Sequence, residues 1–304
     1  MIIDIHTHLG DILYPNGGKL IDRKNVQKKL FFDIISLSEF LKHTGISDRM
    51  DQWLYKKVYA LVTRASRARN ATATLENMRQ SMDAAGILKS VCMPIPPYVT
   101  FEDLKRARSK DDGIIPFTGI DYTRKYPAAE ALEEDVRQGA KGLKLHPIIQ
   151  QAPLDGNLTF QAMEAFAPHR LPVLFHCGVS SYYHGEEQQE KENAALGGIA
   201  YARDLVANFP NVTFIAGHAG LFQYREVMDL LGGFKNVMVD TSVQSPAHVR
   251  ELLRVFGPER VMFASDWPFG NPEPAIKIIQ KACRGDKSLE KRIFYENAAA
   301  LINI

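Results

Sequence analysis

Cysteine is scarce in this chain, and long hydrophobic runs and a clear excess of charge are missing. The 304 residues include three cysteines, which lie far apart and form no C-x-x-C pattern. That spacing argues against a disulfide scaffold and favours a reducing compartment. No apolar stretch approaches the length of a bilayer span, and no signal-peptide pattern precedes Asp4. We therefore predict a cytoplasmic protein with no membrane partner.

The charges are nearly balanced. Lysine and arginine number 37 against 35 acidic residues, which gives a formal net charge of +2. Nucleic-acid-binding proteins usually carry a basic excess, so we expect no nucleic-acid partner. Hydrophobic residues make up 45% of the chain and charged residues 24%, as in ordinary globular domains. Length and composition together predict one domain spanning residues 1–304.

Eight short apolar runs alternate with amphipathic segments along the chain. Most of the runs are continuous, as in strands that are covered on both sides. Eight such units predict an α/β fold, a (β/α)8 TIM barrel, more than an open doubly wound sheet. An open dinucleotide-binding sheet would need a G-x-G-x-x-G turn after its first strand, and "GDILYPNGG" lacks it. The runs cover residues 1–8, 89–97, 113–121, 142–147, 171–178, 211–220, 236–244 and 260–270.

A segment at about residues 30–72 interrupts this alternation. Residues 35–43 and 48–66 carry apolar side chains at three-to-four spacing, which predicts two helices. We interpret them as a helical insertion after the first strand, at the barrel face that carries active sites. Three roles stay open for it: a lid over the site, extra packing, or an interface in a homo-oligomer.

Polar side chains follow most of the predicted strands at the point where each strand ends. His6 and His8 stand at i and i+2 in the first strand, and so do Lys144 and His146 in the fourth. In a barrel these ends meet at one face. Buried polar groups cost free energy unless they are partnered, and one divalent metal ion would satisfy several of them together. The five groups hardest to explain separately are His6, His8, His176, His218 and Asp266.

The motifs "GLKLHP", "FHCG", "GHAG", "SDWPFG" and the ending "IFYENAAALINI" join the opening H-x-H. Together they resemble the amidohydrolase superfamily, in its aminocarboxymuconate-semialdehyde decarboxylase-like branch. The resemblance covers nearly the whole chain apart from the insertion. It implies a barrel fold and a metal site, and it says little about the substrate.

The resemblance also implies roles for single residues. The implied metal ligands are His6, His8, His176 and Asp266, while His218 resembles the histidine that orients or polarises the substrate. In binuclear relatives the fourth-strand lysine is carboxylated and bridges two metals. The "K-L-H-P" context looks more like the mononuclear branch, so Lys144 and His146 are predicted to bind substrate. The expected cofactor is one divalent metal ion, zinc first and manganese second.

Three imidazoles and a carboxylate suit Zn²⁺ or Mn²⁺ with a water molecule. This set predicts hydrolysis of a small carboxylate-, lactone- or amide-containing substrate by a metal-activated water, with Asp266 and His218 as catalytic residues. The alternative is a metal-dependent, non-oxidative decarboxylase. The hydroxybenzoate-type decarboxylases of this branch often begin E-x-H, and the H-x-H of this chain departs from that pattern. A Schiff-base aldolase using Lys144 would leave the His/Asp set without a purpose.

The loop after the fifth strand, "VSSYYHGEEQQEKEN", should lie over the mouth of the barrel. Its aromatic residues Tyr182 and Tyr183, together with His184, are predicted to contact the small-molecule substrate.

Overall fold

The computed structural model describes residues 1–13, 16–44, 48–124, 128–183 and 185–304. Within them, nine short strand segments line up in parallel. They are β1 (Ile3–Thr7), β2 (Lys89–Cys92), β3 (Ile114–Pro116), β4 (Thr118–Gly119), β5 (Leu143–Leu145), β6 (Val173–Phe175), β7 (Phe214–Ala216), β8 (Val237–Asp240) and β9 (Val261–Met262).

The strands form a closed barrel. Parallel pairing runs through β1-β2-β3 and then through β4 to β9 in chain order. Phe117 alone separates β3 from β4, and its N–H donates to Cys92 at 3.1 Å, so the two segments occupy one strand position. On the other side, the Ile5 N–H donates to Phe263 at 3.2 Å and Thr7 pairs with Trp267. The predicted eight-position TIM barrel is confirmed.

Helices cover the outside of the barrel and its carboxyl-terminal face. The α-helices in the described residues are α1 (Ile34–Thr44), α2 (Asp48–Asn70), α3 (Leu75–Ala85), α4 (Phe101–Arg108), α5 (Ala128–Arg137), α6 (Asn157–Phe166), α7 (Glu186–Lys191), α8 (Ile199–Asn208), α9 (Tyr224–Leu231), α10 (Pro246–Phe256), α11 (Pro272–Cys283), α12 (Lys287–Lys291) and α13 (Asn297–Ile302). Among them, no helix is both long and apolar enough to cross a bilayer.

Local sequence explains where several helices begin. Thr100 and Asp103 form a capping box at the start of α4, where each side chain bonds the backbone of the other residue. Ser245 caps α10 through the N–H of His248, and Pro246 occupies the first turn, where its missing N–H costs nothing. These caps fix where the loops after β2 and β8 end and the helices begin.

The strands separate an apolar layer beneath the helices from the interior of the barrel. Leu143 and Leu145 of β5 pack into the apolar layer between the barrel and its helices, whereas Lys144 between them is buried in the barrel. Leu174 and Ile215 belong instead to the interior cluster, together with Ile5 of β1. The interior is therefore filled by side chains near its centre, and polar groups collect at its carboxyl-terminal end.

Helices α1 and α2 lie between β1 and α3, where the sequence predicts an insertion. Helix α2 is kinked at Val58, whose φ of −108° and ψ of 16° are not helical. Near its end, the almost fully buried Arg69 donates to the carbonyl of Phe269 at 2.7 Å and pairs with Asp33 at 2.9 Å. The helix pair is thus tied to the loop after β9.

Candidate metal centre and active site

His6 and His8 present the same nitrogen to the site. The Nδ1 atom of His6 lies 2.8 Å from Oδ2 of Asp240, and Nδ1 of His8 lies 3.0 Å from the carbonyl oxygen of Met93. Both partners are acceptors, so each Nδ1 carries the proton and each Nε2 keeps its lone pair. Burial lowers the pKa of both imidazoles well below the usual range. Neutral rings with an unprotonated Nε2 are in the form that binds a metal ion.

Asp266 faces these two lone pairs. Its Oδ1 lies 3.5 Å from Nε2 of His8 and 3.9 Å from Nε2 of His6. That oxygen is buried and has no hydrogen-bond partner in the part of the chain that the structure describes. Burial raises the pKa of the Asp266 carboxyl well above its ordinary value, against the opposing charge of Lys144. An orphaned carboxylate oxygen beside two imidazole lone pairs fits a divalent metal ion, because the ion would compensate all three groups.

The loop that carries Asp266 is held in an unusual conformation. Asp266 has a φ of 60°, in the left-handed region that non-glycine residues rarely adopt. The preceding Ser265 anchors it: its N–H and its hydroxyl donate to the two oxygens of Asp4, at 3.0 and 2.5 Å. Burial raises the pKa of Asp4 to about 7. Strained backbone of this kind is found where a side chain must be aimed at a functional site.

Asp240 joins His6 to His218. While its Oδ2 accepts from His6, its Oδ1 accepts from the Ser242 hydroxyl at 2.6 Å and from the His218 backbone N–H at 3.0 Å. The Ser242 hydroxyl gives its only hydrogen to Asp240, so it accepts from Nδ1 of His218 at 2.8 Å. Burial lowers the pKa of His218 well below the usual range, so the ring is neutral. With the proton on Nδ1, its Nε2 carries a lone pair.

Lys144 is buried beside this set. Its Nζ lies 2.9 Å from Nε2 of His6. Burial lowers the pKa of its ammonium group to about 7, against the attraction of Asp266 and Asp240. Lys144 therefore contacts His6, one of the predicted metal ligands. It is not among the described residues that line the cleft.

His176 and His146 stack on each other with ring centroids 4.3 Å apart. Nε2 of His176 lies 3.0 Å from the Gly178 carbonyl, and Nε2 of His146 lies 3.1 Å from the Tyr182 hydroxyl. The His176 ring centroid is 5.1 Å from that of His218. The described residues offer two compact sets of possible ligand atoms, and His176 belongs to neither; they are His6, His8 and Asp266, and His6, His218 and Asp240. Its ligand role stays a prediction.

The residues that the sequence predicts to contact the substrate differ in whether they line the cleft. His146 and Tyr182 line the cleft above the metal centre. Tyr183 does not: its ring is buried, and its hydroxyl donates to the carbonyl of Leu13 at 3.2 Å. His184 lies outside the described residues.

The roles of Asp240, Ser242 and Asp4 are not evident in the sequence. Asp240 ends a predicted strand, and Ser242 follows it at i+2 in "VDTS". The i, i+2 spacing of Asp240 and Ser242 at a strand end is the one sign in the sequence that both side chains face the site. The sequence does not show which histidine these two residues contact.

The cleft above the centre is bounded by the strand ends and by α1 and α2. His8, His176, His218 and Asp266 form its floor. Apart from histidines and Asp266, the charged residues among its described lining are Glu39 and Lys42. The cleft thus combines a polar floor with largely apolar walls.

The family model described as Amidohydrolase matches residues 3–304. This chain belongs to the amidohydrolase family. It is therefore an enzyme of the amidohydrolase superfamily, whose members use a divalent metal ion. The resemblance inferred from the motifs is confirmed. No curated protein is significantly similar to the chain in sequence.

Several solved structures share the fold. An uncharacterised TIM-barrel protein from Bordetella bronchiseptica is 15% identical, with 99% of this chain and 98% of that chain covered and a TM-score of 0.67. A 5-carboxyvanillate decarboxylase from Novosphingobium aromaticivorans, in complex with manganese, is 16% identical over 100% and 96%, with a TM-score of 0.65. A probable 2-pyrone-4,6-dicarboxylic acid hydrolase from Acinetobacter baumannii is 13% identical over 100% and 99%, with a TM-score of 0.61. At these identities the likeness shows the barrel fold alone.

Proposed function

We propose that this enzyme is a metal-dependent hydrolase that cleaves an ester, lactone or amide bond in a small molecule. The observation that carries the proposal is the buried Oδ1 of Asp266, which has no hydrogen-bond partner among the described residues and lies near the Nε2 atoms of His6 and His8. His8 and Asp266 of this donor set line the cleft, and the fully buried His6 lies beside them. A metal held there is accessible to a substrate, as a catalytic site requires.

His6, His8 and Asp266 would hold the metal ion, with His176 as the predicted further ligand. Imidazole and carboxylate donors suit zinc and also manganese, and we propose a single zinc ion. When bound, a divalent ion acts as a Lewis acid that polarises a carbonyl group and makes water more acidic. Manganese is the alternative, and it accompanies the decarboxylase of similar fold.

Two side chains are placed to move protons. The Asp266 carboxylate, beside the proposed metal ion, is placed to accept a proton from water and to pass it to the leaving group. His218 keeps its proton on Nδ1 through Ser242, so its neutral Nε2 accepts a proton rather than donating a hydrogen bond. This assigns His218 the role of a base, whereas the sequence predicts that it polarises the substrate carbonyl.

The charges around the cleft favour hydrolysis of a neutral carbonyl group. Glu39 accepts two hydrogen bonds from Asn271, at 2.7 and 2.6 Å, and Lys42 donates to the carbonyl of Val243 at 2.8 Å. No arginine lies among the described residues that line the cleft. A substrate with several carboxylates would find few cationic partners here.

Decarboxylation is the second candidate, and Lys144 favours it. Its buried Nζ beside His6 would attract a substrate carboxylate at the metal centre. The similar fold of a 5-carboxyvanillate decarboxylase is a second argument for decarboxylation as a candidate function.

The test is a substrate panel offered to zinc-loaded and manganese-loaded protein. Proton release in weakly buffered solution reports hydrolysis of esters and lactones, release of a free amine reports hydrolysis of amides, and CO₂ release reports decarboxylation of carboxylates. We expect hydrolysis that stops when a chelator removes the metal and returns when the metal is restored. CO₂ release without hydrolysis would establish the second candidate, and metal-independent turnover would refute both.

A further inference from the structure

Helices α1 and α2 contribute ten residues to the described lining of the cleft, and five of these are aliphatic. We call these side chains the apolar roof: Ile34, Ile35, Leu37, Val58 and Val62. Phe222, from the loop after β7, also lines the cleft, and its ring centroid lies 5.1 Å from that of Tyr55 on α2. The roof therefore meets an aromatic side wall.

Three polar side chains of these two helices form hydrogen bonds with loops around the site. On α1, Lys42 donates to Val243 in the loop after β8, and Glu39 accepts from Asn271 in the loop after β9. On α2, the Tyr59 hydroxyl donates to the carbonyl of Tyr183 at 2.5 Å. The hydrogen bonds fix the helices to three loops around the site. Beside these bonded groups and the small polar side chains of Ser38 and Ser66, the two helices present the apolar roof to the cleft.

We propose that the apolar roof binds a long, uncharged hydrocarbon arm of the substrate while the metal centre holds the reacting carbonyl group. This inference rests on the proposed metal-dependent function and names the substrate class: hydrophobic esters, lactones or amides. A charged arm would lose its hydration against the aliphatic side chains of the roof. Burying a methylene group improves binding about fourfold, so an arm of several carbons controls affinity.

A series of alkyl hydroxamic acids tests the inference by equilibrium binding. The hydroxamate group chelates the metal and stands in for the reacting carbonyl group, and the alkyl chain grows from acetyl to octanoyl. Calorimetry on zinc-loaded protein measures each dissociation constant. We expect the affinity to rise about two- to fourfold per methylene. The monohydroxamate of suberic acid, which carries a terminal carboxylate at comparable length, should bind at least about tenfold more weakly than the octanoyl compound.

A matched pair of variants locates the effect. Val62→Asp places a carboxylate in the roof, and Val255→Asp places one on α10, where the valine is 40% exposed and does not line the cleft. Val62→Asp should weaken octanoyl hydroxamate by more than about tenfold and leave acetohydroxamate within about twofold. Val255→Asp should change neither. Thermal unfolding followed by circular dichroism confirms that each variant is folded.

The outcomes separate the two proposals. If acetohydroxamate binds but affinity does not grow with chain length, the roof inference is wrong and the metal centre stands. Equal binding of the suberic compound would also overturn the inference. If no hydroxamate binds to metal-loaded protein, the proposed function fails, and the inference falls with it. Because the chain-length series uses the unmodified enzyme, it decides the question even if Val62→Asp does not fold.

Discussion

Oδ2 of Asp240 lies 2.8 Å from Nδ1 of His6, and both side chains are fully buried. This contact keeps the proton of His6 on Nδ1 and leaves Nε2 unprotonated beside Lys144 and Asp266. A carboxylate behind a metal-binding histidine fixes its orientation and makes it a better ligand. The other oxygen of Asp240 serves His218 through Ser242, so one carboxylate orients both imidazoles.

The first-strand histidines should be required for metal binding. We expect purified enzyme to hold about one equivalent of metal per chain, and the double variant His6→Ala, His8→Ala to lose it, since three donor groups fall to one. Inductively coupled plasma mass spectrometry after dialysis measures the content. His169→Ala, outside the cleft, is the control and should keep its metal. Retention of a full equivalent by the double variant would rule out the site.

Asp240→Asn should weaken metal binding without removing a ligand. An amide offers one oxygen and one NH₂ group, so it cannot accept from His6 on one side and from Ser242 and two backbone N–H groups on the other. We expect the metal dissociation constant to rise roughly 10- to 100-fold, measured by competition with a chromogenic chelator. Asp204→Asn, at an exposed ion pair with Arg203, is the control. An unchanged constant would show that Asp240 does not position His6.

Ser242→Ala should affect turnover more than metal content. The hydroxyl fixes the proton of His218 on Nδ1, and without it the ring is free to adopt the other tautomer. We expect kcat to fall roughly tenfold or more, with the metal retained, because a base in the wrong tautomer cannot accept the proton. Kinetics on the substrate found in the panel measures the loss. Ser109→Ala, at the exposed end of α4, should behave as wild type.

Asp266→Asn should separate binding from turnover. Asparagine still offers an oxygen atom but cannot accept a proton at neutral pH. With metal in excess, we expect substrate binding within about tenfold of wild type and turnover lowered by about a hundredfold or more. Near-normal turnover in the metal-loaded variant would leave His218 as the better candidate for the base.

Lys144→Met should keep one metal ion per chain. The amine contacts His6 but is proposed neither as a ligand nor as a bridge between two metals. We expect weaker substrate binding or a lower rate, together with a metal content equal to that of the surface variant Lys277→Met. Two metals in wild type that fall to one or none in Lys144→Met would establish the bridging lysine. Inactivation by borohydride in the presence of a ketone substrate would instead support a Schiff base.

The barrel and the position of its polar face are predictable from the amino-acid sequence alone. Apolar runs give strands, and polar residues at their ends gather at one face because parallel strands share a direction. The three-to-four periodicity of residues 35–43 and 48–66 likewise anticipated α1 (Ile34–Thr44) and α2 (Asp48–Asn70) within a few residues. These features depend on near neighbours, which a sequence displays directly.

Contacts between residues that are far apart in the sequence are visible only in the tertiary structure. His6 and Asp240 are 234 residues apart, and the roof is held over the cleft by bonds such as Lys42 to Val243, 201 residues apart. Tyr182 and Tyr183 are neighbours in one motif, yet one lines the cleft and the other is buried against Leu13. Periodicity shows which side chains share a face but not what that face meets, because the partner is chosen by packing and hydrogen bonding across the whole fold.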